Sequence, residues 1–144
     1  MIRKATAADI PRLVELSIDI LKIDQYEQLV IDPERVRDEV EDCVTDPTGF
    51  AWVSENKDGI QGGLGAIVLP MPHYERKQCQ IVMLYCKIPG DGARLLREFM
   101  KWMKTKPMIR QVLYLAERGA DPRIGKLIYR LGFKEALSMY VLTR

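Results

Sequence analysis

The sequence predicts an α/β (α+β) fold, a mixed and mostly antiparallel sheet flanked by about four helices. Three observations predict it. Asp58-Gly59 lies between two strand-like runs, a strong local signal for a hairpin. Asp32-Pro33-Glu34 and Asp121-Pro122 each combine an N-cap carboxylate with a proline suited to the first helical position. Residues 79–103 read as a buried strand, a turn with Gly90 and Gly92, and an amphipathic helix, which is a crossover rather than a hairpin. The resulting order is β-α-α-β-β-β-α-β-α-β.

Taken in order, residues 2–5 form a short first strand. Thr6 and Asp9 have capping-box spacing, and Pro11 fits only a first turn, so helix 1 starts between Thr6 and Ile10. Leu13, Val14, Ile18 and Leu21 make its expected buried stripe. Residues 24–31 connect it to helix 2. Helix 2 starts at Asp32-Pro33, buries Val36, Val40, Cys43 and Val44, and stops by Asp46-Pro47. Residues 49–55 and 60–69 are the hairpin strands. Gly62, Gly63 and Gly65 in the second mark a bulge or the close approach of another backbone. After a polar loop over 70–77 comes the strand over 79–87. The helix behind it turns Leu95, Leu96, Phe99, Met100 and Met103 to one side. Residues 110–117 form the next strand. The last helix uses Ile124, Leu127, Ile128 and Leu131 and ends at Gly132. Residues 133–143 are the expected terminal strand.

The 144 residues, 47% hydrophobic and 29% charged, fit a single domain over 1–144 that folds without staples. A net charge of +2 does not by itself argue for nucleic acid. The basic residues Arg94, Arg97, Lys101, Lys104 and Lys106 lack the interleaved aromatics of such an interface, Trp102 apart. Three cysteines without a CxxC, and one histidine, argue against a metal site. Cys79 and Cys86, seven apart on one strand, are expected on opposite faces. Reduced thiols, no signal-peptide pattern and no apolar run of membrane-spanning length point to a cytoplasmic protein away from membranes.

The turn between strand and helix carries the chemistry. Amide groups at a helix N-terminus have no partner within the helix and face outward, which suits phosphate. Lys87-Ile-Pro-Gly90-Asp-Gly92-Ala-Arg-Leu95-Leu96 resembles the acetyl-CoA loop of the GCN5-related N-acetyltransferase (GNAT) superfamily, Gln/Arg-x-x-Gly-x-Gly/Ala followed by two aliphatics. Both glycines and both leucines match, and Lys87 stands where the family has Gln or Arg. The opening Ile-Arg-Lys-Ala-Thr-x-x-Asp, the Asp58-Gly59 hairpin with its glycine-bearing strand, and Leu131-Gly132-Phe133 extend the resemblance over nearly the whole chain. It is similar to short members from phage and bacterial genomes.

The resemblance implies direct acetyl transfer from acetyl-CoA to an acceptor amine on a small molecule or protein, without a metal. It places the cosubstrate on Met83, Tyr85, Lys87, Gly90, Asp91, Gly92, Ala93 and Arg94, with a bulge in the strand making room for the thioester. Asp91 repels phosphate unless its side chain turns outward. The family's acid, a Tyr four residues before the Gly of Leu-Gly-Phe, corresponds to Ile128. The adjacent Tyr129 serves only after a one-residue register change, and is otherwise an amphipathic helix residue. No carboxylate lies on residues 78–87, so Glu117 is the candidate base, or else a surface charge at a strand end. His73, Tyr74 and Tyr26 are candidates for the acceptor side. The departures at Lys87, Ile128 and the missing carboxylate motivate a second reading, a GNAT-fold protein that binds a host or partner protein with catalysis weak or lost. Relatives often form homodimers, and a phage-encoded member would work in the host cytoplasm.

Overall fold

The structure, a computed structural model, describes residues 1–23, 29–115, 122–136, 140, 142 and 144. Its elements are β1 (Ile2–Lys4), a single 3-10 turn (Ala7–Asp9), α1 (Ile10–Ile23), α2 (Pro33–Thr45), β2 (Phe50–Asn56), β3 (Gly59–Pro70), β4 (Lys77–Cys86), α3 (Asp91–Lys104), β5 (Ile109–Tyr114) and α4 (Pro122–Arg130). One five-stranded sheet runs β1-β2-β3-β4-β5. Its first three pairings are antiparallel, and β4 pairs β5 in parallel. The predicted class and mixed sheet are what the chain adopts. The terminal strand expected over 133–143 falls partly outside the described residues, and the described residues 133–136 form no strand.

Two cores lie on the two faces of the sheet. Leu95, Leu96 and Phe99 of α3 and Ile128 of α4 pack with Phe50, Leu64, Ala66, Cys79 and Ile81 on one face. Phe50 and Phe99 meet edge to face at 5.3 Å, and Trp102 lies 5.3 Å from Phe50. On the other face, Ile10, Leu13 and Leu16 of α1 and Val40 and Cys43 of α2 pack on Ala51 and Val53. The buried face of α1 is therefore Ile10, Leu13 and Leu16, which shares only Leu13 with the stripe expected from the sequence. Val14 and Ile18 are only half-buried, and Leu21 is 44% exposed. The phase of the helix is set by where it starts, at Ile10 after the 3-10 turn, and by the strands it lands on.

The glycines of β3 set how closely its neighbours approach. A Cβ on Gly62 would collide with the Tyr85 carbonyl oxygen on β4. A Cβ on Gly65 would lie 3.2 Å from the Cys43 sulfur on α2. Close approach is thus the reason for this glycine run.

Local signals set the helix ends. Asp32 accepts the Glu34 amide at 3.0 Å with Pro33 at the first position of α2. Gly132, at φ 95°, ends α4. The Phe133 amide returns to the Ile128 carbonyl at 3.2 Å and the Gly132 amide to Tyr129 at 3.0 Å, the paired bonds of a Schellman cap. At the chain start the Asp9 carboxylate accepts the Thr6 amide at 2.8 Å. Arg3 then forks between two carboxylates, donating to Asp9 at 2.8 and 3.0 Å and to Glu55 at 2.9 and 3.0 Å. This ties β1 to the entry of α1 and to the end of β2.

The Arg3 guanidinium holds the Asp9 carboxyl down to about 2 and lowers Glu55 as well. A carboxyl depressed in the folded state contributes stability above its unfolded value, and loses it as pH falls through the folded value. The chain should therefore lose stability between about pH 4 and pH 2 through Asp9. Asp9→Asn is expected to lower stability at pH 7 by about 1–2 kcal/mol and to flatten this acid limb, as read by urea unfolding at pH 7 and pH 3. An unchanged acid limb would mean that Arg3 does not clamp Asp9 in solution.

Candidate functional site

The site begins with one extra residue. Gly65 pairs with Met83 and Ala66 with Ile81, so Val82 has no partner of its own on β3. Such a bulge turns two consecutive side chains to one face and bends the strand. Before it, Cys79 and Ile81 pack into the α3-side core. After it, Leu84 and Cys86 do so, while Val82, Met83 and Tyr85 pack toward α1 and α2. Cys79 and Cys86 therefore share a face, against the expectation from strict alternation, because the bulge shifts the phase by one.

The bulge also marks where β5 leaves. The parallel pairing ends at Ile81↔Tyr114, and no described strand pairs β4 on that side along Val82 to Cys86. An extended arm bearing amide groups can take up that open edge, as a further strand would. Sequence reasoning located Met83 and Tyr85 here but missed Val82 itself. The departure from alternation at Ile81-Val82-Met83 is visible only once the partner register is known.

Beyond β4 the chain makes the turn into α3. The Lys87 amide donates to the Gln61 carbonyl at 3.1 Å, which fixes the turn on the hairpin, and its side chain is exposed. Gly90 has φ 85°, a left-handed conformation that favours glycine. Gly92 differs, since a Cβ there would meet nothing nearer than the Cys86 Cβ at 4.0 Å. The fold does not require this glycine, and its bareness keeps the space before the helix clear. The amides of Gly90, Gly92 and Ala93 have no hydrogen-bond partner among the described residues. The Asp91 amide is taken, donating to the Ile88 carbonyl at 3.2 Å.

Asp91 corrects an expectation. The residue is 2% exposed and its side chain turns under the loop, where Ser54 of β2 donates to it at 2.7 Å. Arg94 reaches the other carboxylate oxygen at 3.3 Å and stays mostly exposed. Asp91 is thus an anchor between α3 and the sheet, not a group facing an anion. Its burial removes the repulsion that its place in the sequence suggested. Arg94 is left at the mouth of the loop, and its guanidinium has no other partner among the described residues.

The remaining candidates scatter. Ile128 fills the core, and Tyr129 is 60% exposed on α4, so the register change that would bury it does not occur. His73, at φ 70°, and Tyr74, 70% exposed, line an open depression of about 600 Å³ with Met71, Glu75, Arg76 and Arg110. That depression adjoins Lys77 at the start of β4, at the far end of the strand from the loop, about 30 Å away at 3.3 Å per residue. The structure does not bring His73 and Tyr74 to the loop. Glu117 and Tyr26 lie outside the described residues. Among the described residues no group of three or more His, Cys, Asp or Glu is placed to hold a metal, and no helix is long and apolar enough to cross a membrane.

No protein-family profile matches the sequence, and no curated protein matches it. Solved structures do share the fold. A predicted acetyltransferase of Clostridium acetobutylicum, crystallised with acetyl-CoA, superposes with a TM-score of 0.78 at 16% identity, covering 99% of this chain and 95% of that one. An aminoglycoside acetyltransferase from an uncultured soil sample, in complex with sisomicin, gives 0.67 at 17% identity over 100% and 95%. A ribosomal-protein-alanine N-acetyltransferase of Brucella melitensis biovar Abortus 2308 gives 0.67 at 14% over 100% and 99%. At these identities the likeness is one of fold.

The thiols provide a check on the bulge. Burial pushes Cys43 and Cys79 up to about 12, whereas Cys86 is half-buried beneath the loop with its sulfur 3.4 Å from the Ile88 carbonyl. At pH 8 a thiol-specific chromogenic disulfide should modify one cysteine rapidly in the native chain, mapped to Cys86 by peptide mass. The other two should react only after denaturation. Rapid modification of Cys79 would show that β4 is not in the phase described.

Proposed function

We propose that this chain, whose fold is that of the GNAT acetyltransferases, transfers an acetyl group from acetyl-CoA to an amine. The observation that carries the reading is the coincidence of two features at one end of β4. No described strand pairs β4 on the β5 side past Ile81, and a bare-glycine helix N-terminus follows within a few residues. The amides of Gly90, Gly92 and Ala93 and the positive end of the α3 dipole would receive the pyrophosphate. Lys87 and Arg94 would add cationic charge, Lys87 as a point charge and Arg94 as a fork partly committed to Asp91. Backbone groups of Met83 and Tyr85 would hold the pantetheine arm along the open edge. The fold neighbour crystallised with acetyl-CoA supports the choice of cosubstrate, and the neighbour complexed with sisomicin supports an amine as acceptor.

In the reaction the neutral amine attacks the thioester carbonyl, the C–N bond forms and the C–S bond breaks. The electron pair leaves on the CoA sulfur. The nitrogen gives up a proton, and the sulfur gains one. Glu117 is the proposed base and water the proposed proton donor to the sulfur, because Tyr129 faces outward on α4 without the register change it would need. An acceptor amine must lose its own proton before it attacks, so activity should rise toward alkaline pH.

Two substitutions test the reading. Gly92→Trp should fill the clear space before α3 and weaken acetyl-CoA binding at least a hundredfold by isothermal titration, with the circular dichroism spectrum unchanged. Undiminished binding by this variant would put the pyrophosphate elsewhere, and no binding by the unmodified chain at millimolar acetyl-CoA would sink the assignment. Tyr129→Phe should leave kcat and the KM for acetyl-CoA unchanged, since Tyr129 lies on the helix surface. A tenfold fall in kcat would show that α4 shifts its register when acetyl-CoA binds and brings Tyr129 in as the acid.

A further inference from the structure

The half-buried flank of α1 lies beside the part of β4 that no described strand pairs on the β5 side. The Ser17 hydroxyl donates to the Met83 sulfur at 3.3 Å, which fixes the two elements side by side at the bulge. Residues three and four apart share one side of a helix, so Val14 and Leu21 stand with Ser17 on that flank. Val14, Val82, Met83 and Tyr85 are partly buried against the α1-side core, and Leu21 is 44% exposed. On the opposite face of the sheet, Leu84 and Cys86 are packed into the α3-side core. A molecule reaching the open edge from the α1 side therefore meets aliphatic groups, a thioether and a phenol ring, with Ser17 the polar group on the α1 flank.

We infer that the acceptor is a primary amine carried on an apolar alkyl or aryl group, seated against Val14, Ser17 and Leu21 of α1 and Met83 and Tyr85 of β4. The inference rests on the acetyl-transfer reading above and adds the acceptor's class. An apolar carrier gains by leaving water against this wall. A polycation seated there would give up the hydration of several charges against groups that cannot replace it. Ser17 serves as a positioning residue. Among the described residues its hydroxyl is engaged only with a sulfur, a weak acceptor, and it can turn to accept an N–H from the incoming amine while the apolar carrier lies on Val14 and Leu21. The electron and proton balance is that of the transfer already written, with the nitrogen neutral when it attacks.

The test uses the full chain with saturating acetyl-CoA and four acceptors, hexylamine, 2-phenylethylamine, spermidine and kanamycin, with acetylated product measured by mass spectrometry. The expected result is a kcat/KM for the two apolar amines at least tenfold above that for spermidine or kanamycin. Leu21→Asp, at an exposed position, should narrow that gap at least fivefold, mainly through KM of the apolar amines. Ser17→Ala should raise KM for both apolar amines, and Ser17→Thr should restore it. A preference for spermidine or kanamycin overturns the inference. So does acetyl-CoA binding by titration with no turnover of either apolar amine, and in that case the cosubstrate site stands. Absence of acetyl-CoA binding overturns the acetyl-transfer reading, and this inference with it.

Discussion

The unpaired residue at Val82 is the constraint on which the site depends. A regular β4 would keep one phase from Lys77 to Cys86, turning Met83 and Tyr85 toward α3 and Leu84 and Cys86 toward α1. With the bulge, each half of the strand supplies the correct side chains to the core beneath it. The same bend coincides with the end of the β5 pairing, so backbone groups that a regular parallel sheet would satisfy have no strand partner among the described residues. A shift of phase in a strand and an opening in a sheet are here one event, and the proposed chemistry needs both.

The loop after β4 is held from below. Ser54 of β2 and Asp91 of α3 are both fully or nearly buried, and their 2.7 Å hydrogen bond crosses the interior rather than the surface. The aromatic packing of Phe50, Phe99 and Trp102 fixes α3 on the sheet, further along the helix from that bond. The first turn of α3 is thus positioned by buried contacts, while its outward amides face solvent. Preorganisation of this kind lets a phosphate be received without reordering the backbone. Gly90 and Gly92 divide the labour, one for a backbone conformation and the other for clear space.

Much of the fold was legible in the sequence because local chemistry determines it. Asp32-Pro33, Asp58-Gly59 and Gly132 each act within a few residues, and each does in the structure what its chemistry dictates. The glycine run of β3 was legible as close approach for the same reason, since only steric room is at stake. The candidate site was legible at the Gly90–Ala93 turn, whose function as a turn is also local. That His73 and Tyr74 lie at the far end of β4 from this turn was not legible, because proximity to a strand in the chain says nothing about which end of it carries the chemistry.

The sequence by itself determined the order of elements, the helix ends and the glycine turn before α3. Only the tertiary structure decided the phase of β4, the face that α1 buries, the inward turn of Asp91 and the outward place of Tyr129. Each of these is a choice of side made against a partner distant in the chain. An amphipathic pattern tolerates a rotation of α1 or a one-residue shift in a strand until a neighbour fixes it. That neighbour is β3 for the bulge, Ser54 for Asp91 and the α3-side core for Ile128, and none of them lies in the segment whose orientation it sets.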